Sequence, residues 1–209
     1  MAQLFHIHPE HPQPRLIRQA VDIVKSGGLI ALPTDAAYSL VGVTGHVPLL
    51  ERIRAIRGVD ERHHFTLMCR DLSEIAKYAR VNNSQFRLLK ALTPGSYTFI
   101  LEGSKELPRR LLHPKRKTIG LRVPDHPLAL ALLAALDEPL LSSTLILPGD
   151  DLPLSDADEI RERLEKQLDA VIDAGHCGSE MTTVVNLAGD QPELVRTGCG
   201  PLAPLGLAT

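Results

Sequence analysis

The chain has 209 residues, 44% of them hydrophobic, with 23 Lys and Arg against 25 Asp and Glu. That apolar fraction supports a sizeable core and excludes a low-complexity or disordered chain, and no apolar run nears the roughly 20 residues that span a bilayer. Three dispersed cysteines (Cys69, Cys177, Cys199) without a CxxC pair exclude a disulfide framework and imply a reducing, cytoplasmic setting.

In chain order, the start MAQLFHIHPEHPQP has neither a basic opening nor an apolar stretch, so it is not expected to be a secretory leader. A helix is predicted over Pro14–Ser26, where Leu16, Ile17, Ala20, Val21, Ile23 and Val24 form an apolar stripe that Gly27-Gly28 stops. Leu29–Leu32 reads as a short buried strand ending at Pro33, and Pro48–Arg57 as a second helix. A strand over Phe65–Cys69 is followed by helices at Leu72–Tyr78 and Ser84–Leu92. Strands at Ser96–Leu101 and Thr118–Val123 flank a basic stretch broken by Pro108 and Pro114. Leu128–Leu136 is a helix, Pro139–Leu147 a strand, and Ser155-Asp156-Ala157-Asp158 caps a charged helix reaching Gln167. Short strands at Val171–Asp173, Thr183–Leu187 and Leu194–Arg196 finish the chain. This alternation predicts an α/β fold with one mixed sheet covered by helices, and residues 1–209 as a single domain.

Charge is unevenly placed. Residues 1–47 balance three basic against three acidic groups, residues 48–122 carry 16 Lys and Arg against 7 Asp and Glu, and residues 123–209 carry 4 against 15. Two readings fit: a basic surface for an anionic partner, or two segments that neutralise each other once folded. Phosphate-loop and dinucleotide fingerprints are absent, as are HExxH and paired Cys/His spacings, and no metal site is expected. His6, His8 and His11 read as solvated surface. His176 and Cys177 are sequence neighbours that cannot readily face each other, so a thiol nucleophile would need a partner from elsewhere.

Several short segments, in a fixed order, resemble one known family. Gly27 to Asp35 (GGLIALPTD), continuing through Tyr38 and Leu40, is similar to the signature that opens the YrdC/YciO family of threonylcarbamoyl-AMP synthases. TPGSYT at Thr93–Thr98, TIGLRVP at Thr118–Pro124, MTTVV at Met181–Val185 and LVRTG at Leu194–Gly198 are similar to its later segments. The wording of Phe65–Leu72 and of Pro108–Gly120 resembles the YciO branch more than the tRNA-modifying enzymes.

This resemblance implies a twisted open sheet with a basic concavity, and a site for ATP or AMP with Mg²⁺, L-threonine and bicarbonate. Carried over position by position, Thr34, Arg57, Thr118, Thr144 and Arg196 would contact the nucleotide. Ala36, Arg70, Arg122 and Thr182 would form the amino-acid pocket. Four positions depart from the family pattern. Its KxR pair falls at Arg57-Gly58-Val59, its SxN pair at Thr144-Leu145-Ile146, the Thr of PTDT is Ala36, and a His is Arg70. Losing a phosphate cation and an amide implies weak, altered or lost synthase activity, and the changed amino-acid pocket at Ala36 and Arg70 admits an enzyme that uses ATP on another small amino or hydroxy acid. A second expectation is duplex RNA or tRNA bound on the exposed cations Arg109, Arg110, Lys115, Arg116 and Lys117, with Arg52, Arg54, Arg57 and Arg62 on the same surface.

Overall fold

A computed structural model describes residues 1–206. Among the described residues, the elements in chain order are β1 (Gln3–His6), α1 (Pro14–Lys25), β2 (Ile30–Leu32), β3 (Ser39–Val43), α2 (Val47–Arg57), β4 (Thr66–Met68), α3 (Leu72–Tyr78), α4 (Asn83–Leu92) and β5 (Tyr97–Glu102). After a 3-10 turn at Arg109–Leu111 come β6 (Thr118–Arg122), α5 (Pro127–Leu136), β7 (Leu140–Thr144), α6 (Ala157–Leu164), β8 (Ala170–Asp173), β9 (Thr183–Asn186) and β10 (Glu193–Arg196), and a 3-10 turn at Ala203–Leu205 closes the sequence of elements. All ten strands join one open mixed sheet in the order β1-β8-β2-β3-β7-β4-β6-β5-β9-β10.

Successive side chains on a strand point to opposite faces, and here both faces are put to use. One face carries Ile30, Leu32, Val41, Met68, Leu140 and Ile172, and it packs with Ile17, Val21 and Val24 of α1 and Leu128 and Leu132 of α5. The opposite face carries Leu29, Ala31, Leu40, Leu67, Leu121 and Leu141 against Leu49 and Ile53 of α2, Ile75 of α3, Leu89 of α4 and Ile160 of α6. The first face changes character at β4. Met68 belongs to the α1–α5 layer, but Thr66, two residues earlier on the same face, sits opposite Gly120 of β6, and Gly120 opposite Ile100 of β5. Those small and hydroxyl side chains floor an open cleft.

Where the sequence shows a local period, structure and expectation coincide to within a few residues. The differences are non-local. β1 is a strand that no local pattern marks: Gln3–His6 pairs in parallel with Ala170–Asp173, and the exposed His6 has its Nδ1 2.9 Å from Asp173 Oδ2. β3 is an additional strand, buried along its length and hydrogen-bonded to β2 and β7. The cap of α6 is Asp156 rather than Ser155: its carboxylate accepts from Glu159 N at 2.8 Å. No helix among the described residues is long and apolar enough to cross a membrane.

Candidate functional site

The cleft encloses about 540 Å³. Its floor is Thr66, Gly120, Thr98, Ile100 and Val184, its rim is built from Arg57 at the end of α2, the segment between α2 and β4 (Arg62, His63, His64) and the end of β7, and Arg196 of β10 closes the far side. Gly120 is required by the floor, because a Cβ there would come within 2.8 Å of Thr66 Oγ1 and 3.1 Å of Thr98 Cγ2. Thr98 Oγ1 and Thr182 Oγ1 share a hydrogen bond of 2.8 Å. Arg196 donates from Nε and Nη2 to Thr182 O at 3.2 and 2.9 Å, which pins the guanidinium against β9.

Among the described residues, no carboxylate lines this cleft. Arg57 and Arg196 make no ion pair with any described residue, whereas Arg52, Arg54, Arg70, Arg80, Arg122 and Arg163 each do. Burial, then repulsion from Arg196, pulls the Arg57 proton affinity below its usual range, and burial does the same to Arg196. Uncompensated, partly desolvated cations facing a cavity are the electrostatic requirement for binding an anion. Mg²⁺ seeks carboxylate oxygens and water, and the hydroxyls here do not provide a protein-held Mg²⁺ site. Among the described residues no three His, Cys, Asp or Glu side chains gather to hold a metal.

Arg57, Thr144, Thr182 and Arg196 come together in this cleft. Thr118 stands at its edge, its Oγ1 3.2 Å from His64 Nε2. Thr34 does not reach in; its buried hydroxyl donates to Ala37 O at 2.7 Å and accepts from Ala36 N at 3.1 Å, closing a turn that also buries Ala36. Arg122 lies deeper on the same strand face, paired with Asp35, and both side chains are at least nine-tenths buried. Ser96 Oγ completes that carboxylate at 2.7 Å. Arg70 turns outward to an ion pair with Asp137, away from the cleft. Val59 and Ile146, the two departures from the family pairs, are half-buried and outside the lining.

The basic segment before β6 lies outside the cleft lining and approaches it through His113. Arg109, Arg110, Lys115, Arg116 and Lys117 are exposed, and His113 stacks on His64 with ring centroids 4.7 Å apart. Arg110 Nη2 donates to Thr44 O at 2.7 Å and Lys117 Nζ to Pro114 O at 2.7 Å. Of the α2 arginines, Arg52 pairs with Asp169, and Arg54 pairs with Glu51 while its guanidinium lies over the Phe65 ring; neither lines the cleft. Cys177 is buried with its thiol pushed up by that burial, and His176 beside it is exposed, so neither joins the cleft. Three cleft residues, His63, His64 and Ser143, belong to no motif of the sequence, and His63 and Ser143 meet only in the fold.

A ten-stranded open α/β sheet with a cationic, carboxylate-free cleft on its uncovered face defines the class. The Sua5/yciO/yrdC family model, described as "Telomere recombination", matches residues 22–198, and the chain belongs to that family. It is 54% identical over 204 residues to the uncharacterized protein YciO of Escherichia coli K12, covering 98% of this chain and 99% of that one. The crystal structure of E. coli YciO superposes with a TM-score of 0.95 over 98% of this chain and 99% of that chain. More distantly, the chain is 29% identical over 191 residues to human threonylcarbamoyl-AMP synthase, covering 88% of this chain and 67% of that enzyme. The crystal structure of P. abyssi Sua5 complexed with L-threonine shares the fold, with a TM-score of 0.88 at 23% identity, over 97% of this chain and 59% of that one.

Proposed function

We propose that this protein binds ATP or AMP in the cleft, its phosphates on Arg57 and Arg196 and its remainder over the Gly120 floor. Relative to the threonylcarbamoyl-AMP synthases of its family, its synthase activity is weak, altered or lost. One observation carries the reading: two half-buried arginines without ion-pair partners face a cavity with no carboxylate in its lining. A phosphate supplies the compensating charge, and each arginine can offer it paired donors. Any Mg²⁺ would arrive on the nucleotide, since the lining gives it no ligand of its own. The amino-acid end supports altered chemistry. Arg122 is already neutralised by Asp35 and Arg70 is turned to Asp137, so neither is free for a threonine carboxylate.

Calorimetry with ATP and AMP tests binding, and no heat at millimolar nucleotide would overturn the reading. Pyrophosphate release with threonine, bicarbonate and ATP tests the chemistry. The expected rate is far below that of a family enzyme with intact KxR and SxN pairs, and an equal rate removes the claim of altered activity.

A second reading is favoured by the exposed cations Arg109, Lys115, Arg116 and Lys117 beside the cleft mouth. They suit the phosphates of duplex RNA or tRNA, and few aromatics are available for stacking single strands. Gel shifts of duplex RNA at 50 and 200 mM salt should show steep weakening. Binding that is unchanged when Lys115, Arg116 and Lys117 become Ala rules it out.

A further inference from the structure

Ser143 holds two neighbours at once. Arg57 Nη1 donates to its Oγ, and His63 Nε2 lies 3.2 Å from the same oxygen. A hydroxyl that accepts from a guanidinium keeps one hydrogen to give, and His63 Nε2 is the acceptor within reach. A neutral His63 that accepts the Ser143 hydroxyl proton at Nε2 fits this arrangement, and burial keeps the ring in that neutral form. The charged and titratable groups facing its ring are Arg54 and Arg57 of α2, Asp60, Arg62 and His64 of its own segment, and Arg196 across the cleft. Positive charge dominates, and Phe65 meets the ring edge-on at 5.4 Å between centroids. Burial first, then Arg57, holds the imidazole down at about 4.

We propose that His63 is the proton-accepting group of this anion site: a phosphate bound on Arg57 and Arg196 enters together with a proton from solvent, which goes to His63 Nε2 while Ser143 turns its hydroxyl to the ligand. The inference rests on the nucleotide reading above. A phosphate dianion cancels the local excess of positive charge that keeps the imidazole neutral, so the protonated ring gains most from the bound state. By linkage, whatever raises the proton affinity of His63 on binding must make binding stronger as protons become available. Imidazolium then supplies an additional charged donor where the family's KxR pair gives way to Arg57 and Val59. His63 is thus a ligand-binding residue, and Ser143 a positioning residue that orients Arg57.

Calorimetry of AMP binding at pH 5.5, in two buffers of different ionisation enthalpy, counts the protons taken up. AMP's own phosphate proton is common to wild type and His63→Gln, so their difference isolates His63. Wild type should take up a fraction of a proton more per AMP than the variant. Its affinity should gain about tenfold more than the variant's for each pH unit over which one proton is fully linked. Should the variant misfold, the His63 ring is titrated by NMR in wild type with and without AMP. A rise from about 4 on binding is expected. AMP binding with equal uptake in both proteins, or an unmoved ring titration, overturns this inference alone. Absence of AMP binding to wild type overturns the nucleotide reading and this inference with it.

Discussion

Arg196 shows how a single side chain can be both anchored and available. Nε and Nη2 are committed to Thr182 O, which leaves Nη1 to meet a ligand without further loss of side-chain freedom. Arg196→Ala should weaken AMP binding by about 1.5–3 kcal/mol, the range for hydrogen bonds to charged groups. Lys cannot restore it, because one ammonium cannot hold Thr182 O and a phosphate in the same fork geometry. Calorimetry of the two variants checks both statements, and a Lys variant with wild-type affinity contradicts the anchoring argument. Arg122 is the counter-example. Both arginines sit in recognisable segments of the sequence, LVRTG and TIGLRVP. Only the fold shows that Asp35, 87 residues earlier, already pairs with Arg122. Ser143 and His63, 80 residues apart, were equally illegible, since neither side chain has a local pattern that announces its partner.

At the level of elements, legibility followed the range of the forces involved. Helices α1, α3, α4 and α5 announce themselves because their apolar stripes, prolines and caps repeat within a few residues. β1 does not, because what makes it a strand is pairing with β8, more than 160 residues further on, and β3, though it pairs with β2 nearby, is held on its other edge by β7, more than 90 residues further on. The turn after β10 is legible for a different reason. Gly198 closes the LVRTG segment, and a Cβ on it would stand 2.1 Å from Met181 O and 2.5 Å from Thr182 O. Backbone atoms cannot swing aside as a flexible side chain would. Gly198→Ala should therefore cost about 1–3 kcal/mol, the range for overpacking. It should also loosen Arg196, whose anchor is the same Thr182 carbonyl. Urea denaturation and AMP calorimetry on one variant would report both losses, and an unchanged denaturation midpoint would contradict the predicted crowding.

For the whole molecule, the buried histidines set the response to acid. His63, His64 and His126 are each held below their usual range, chiefly by burial. As pH falls through about 6.5 the unfolded chain takes up protons that the folded chain refuses, so stability must decline toward pH 4. Glu74, pushed up by burial, opposes this over part of the range, but three imidazoles act against one carboxyl. The urea midpoint should drop between pH 7 and pH 5 at constant slope, and the drop should be smaller in His63→Gln. A midpoint that rises on acidification would refute the assignment. The order of the strands also bears on synthesis. β1 touches β2 only through β8, and β3 touches β4 only through β7. A chain emerging from the ribosome therefore carries β1–β6 with gaps in the sheet that no earlier strand can fill. Until residue 144 has emerged, the edges of β3 and β4 are unpaired apolar templates, open to wrong partners. A fragment ending at residue 138 should remain unfolded or associate, and supplying residues 139–206 as a separate chain should rescue it. A cooperative, monomeric fold for the shorter fragment would show that β7 is dispensable.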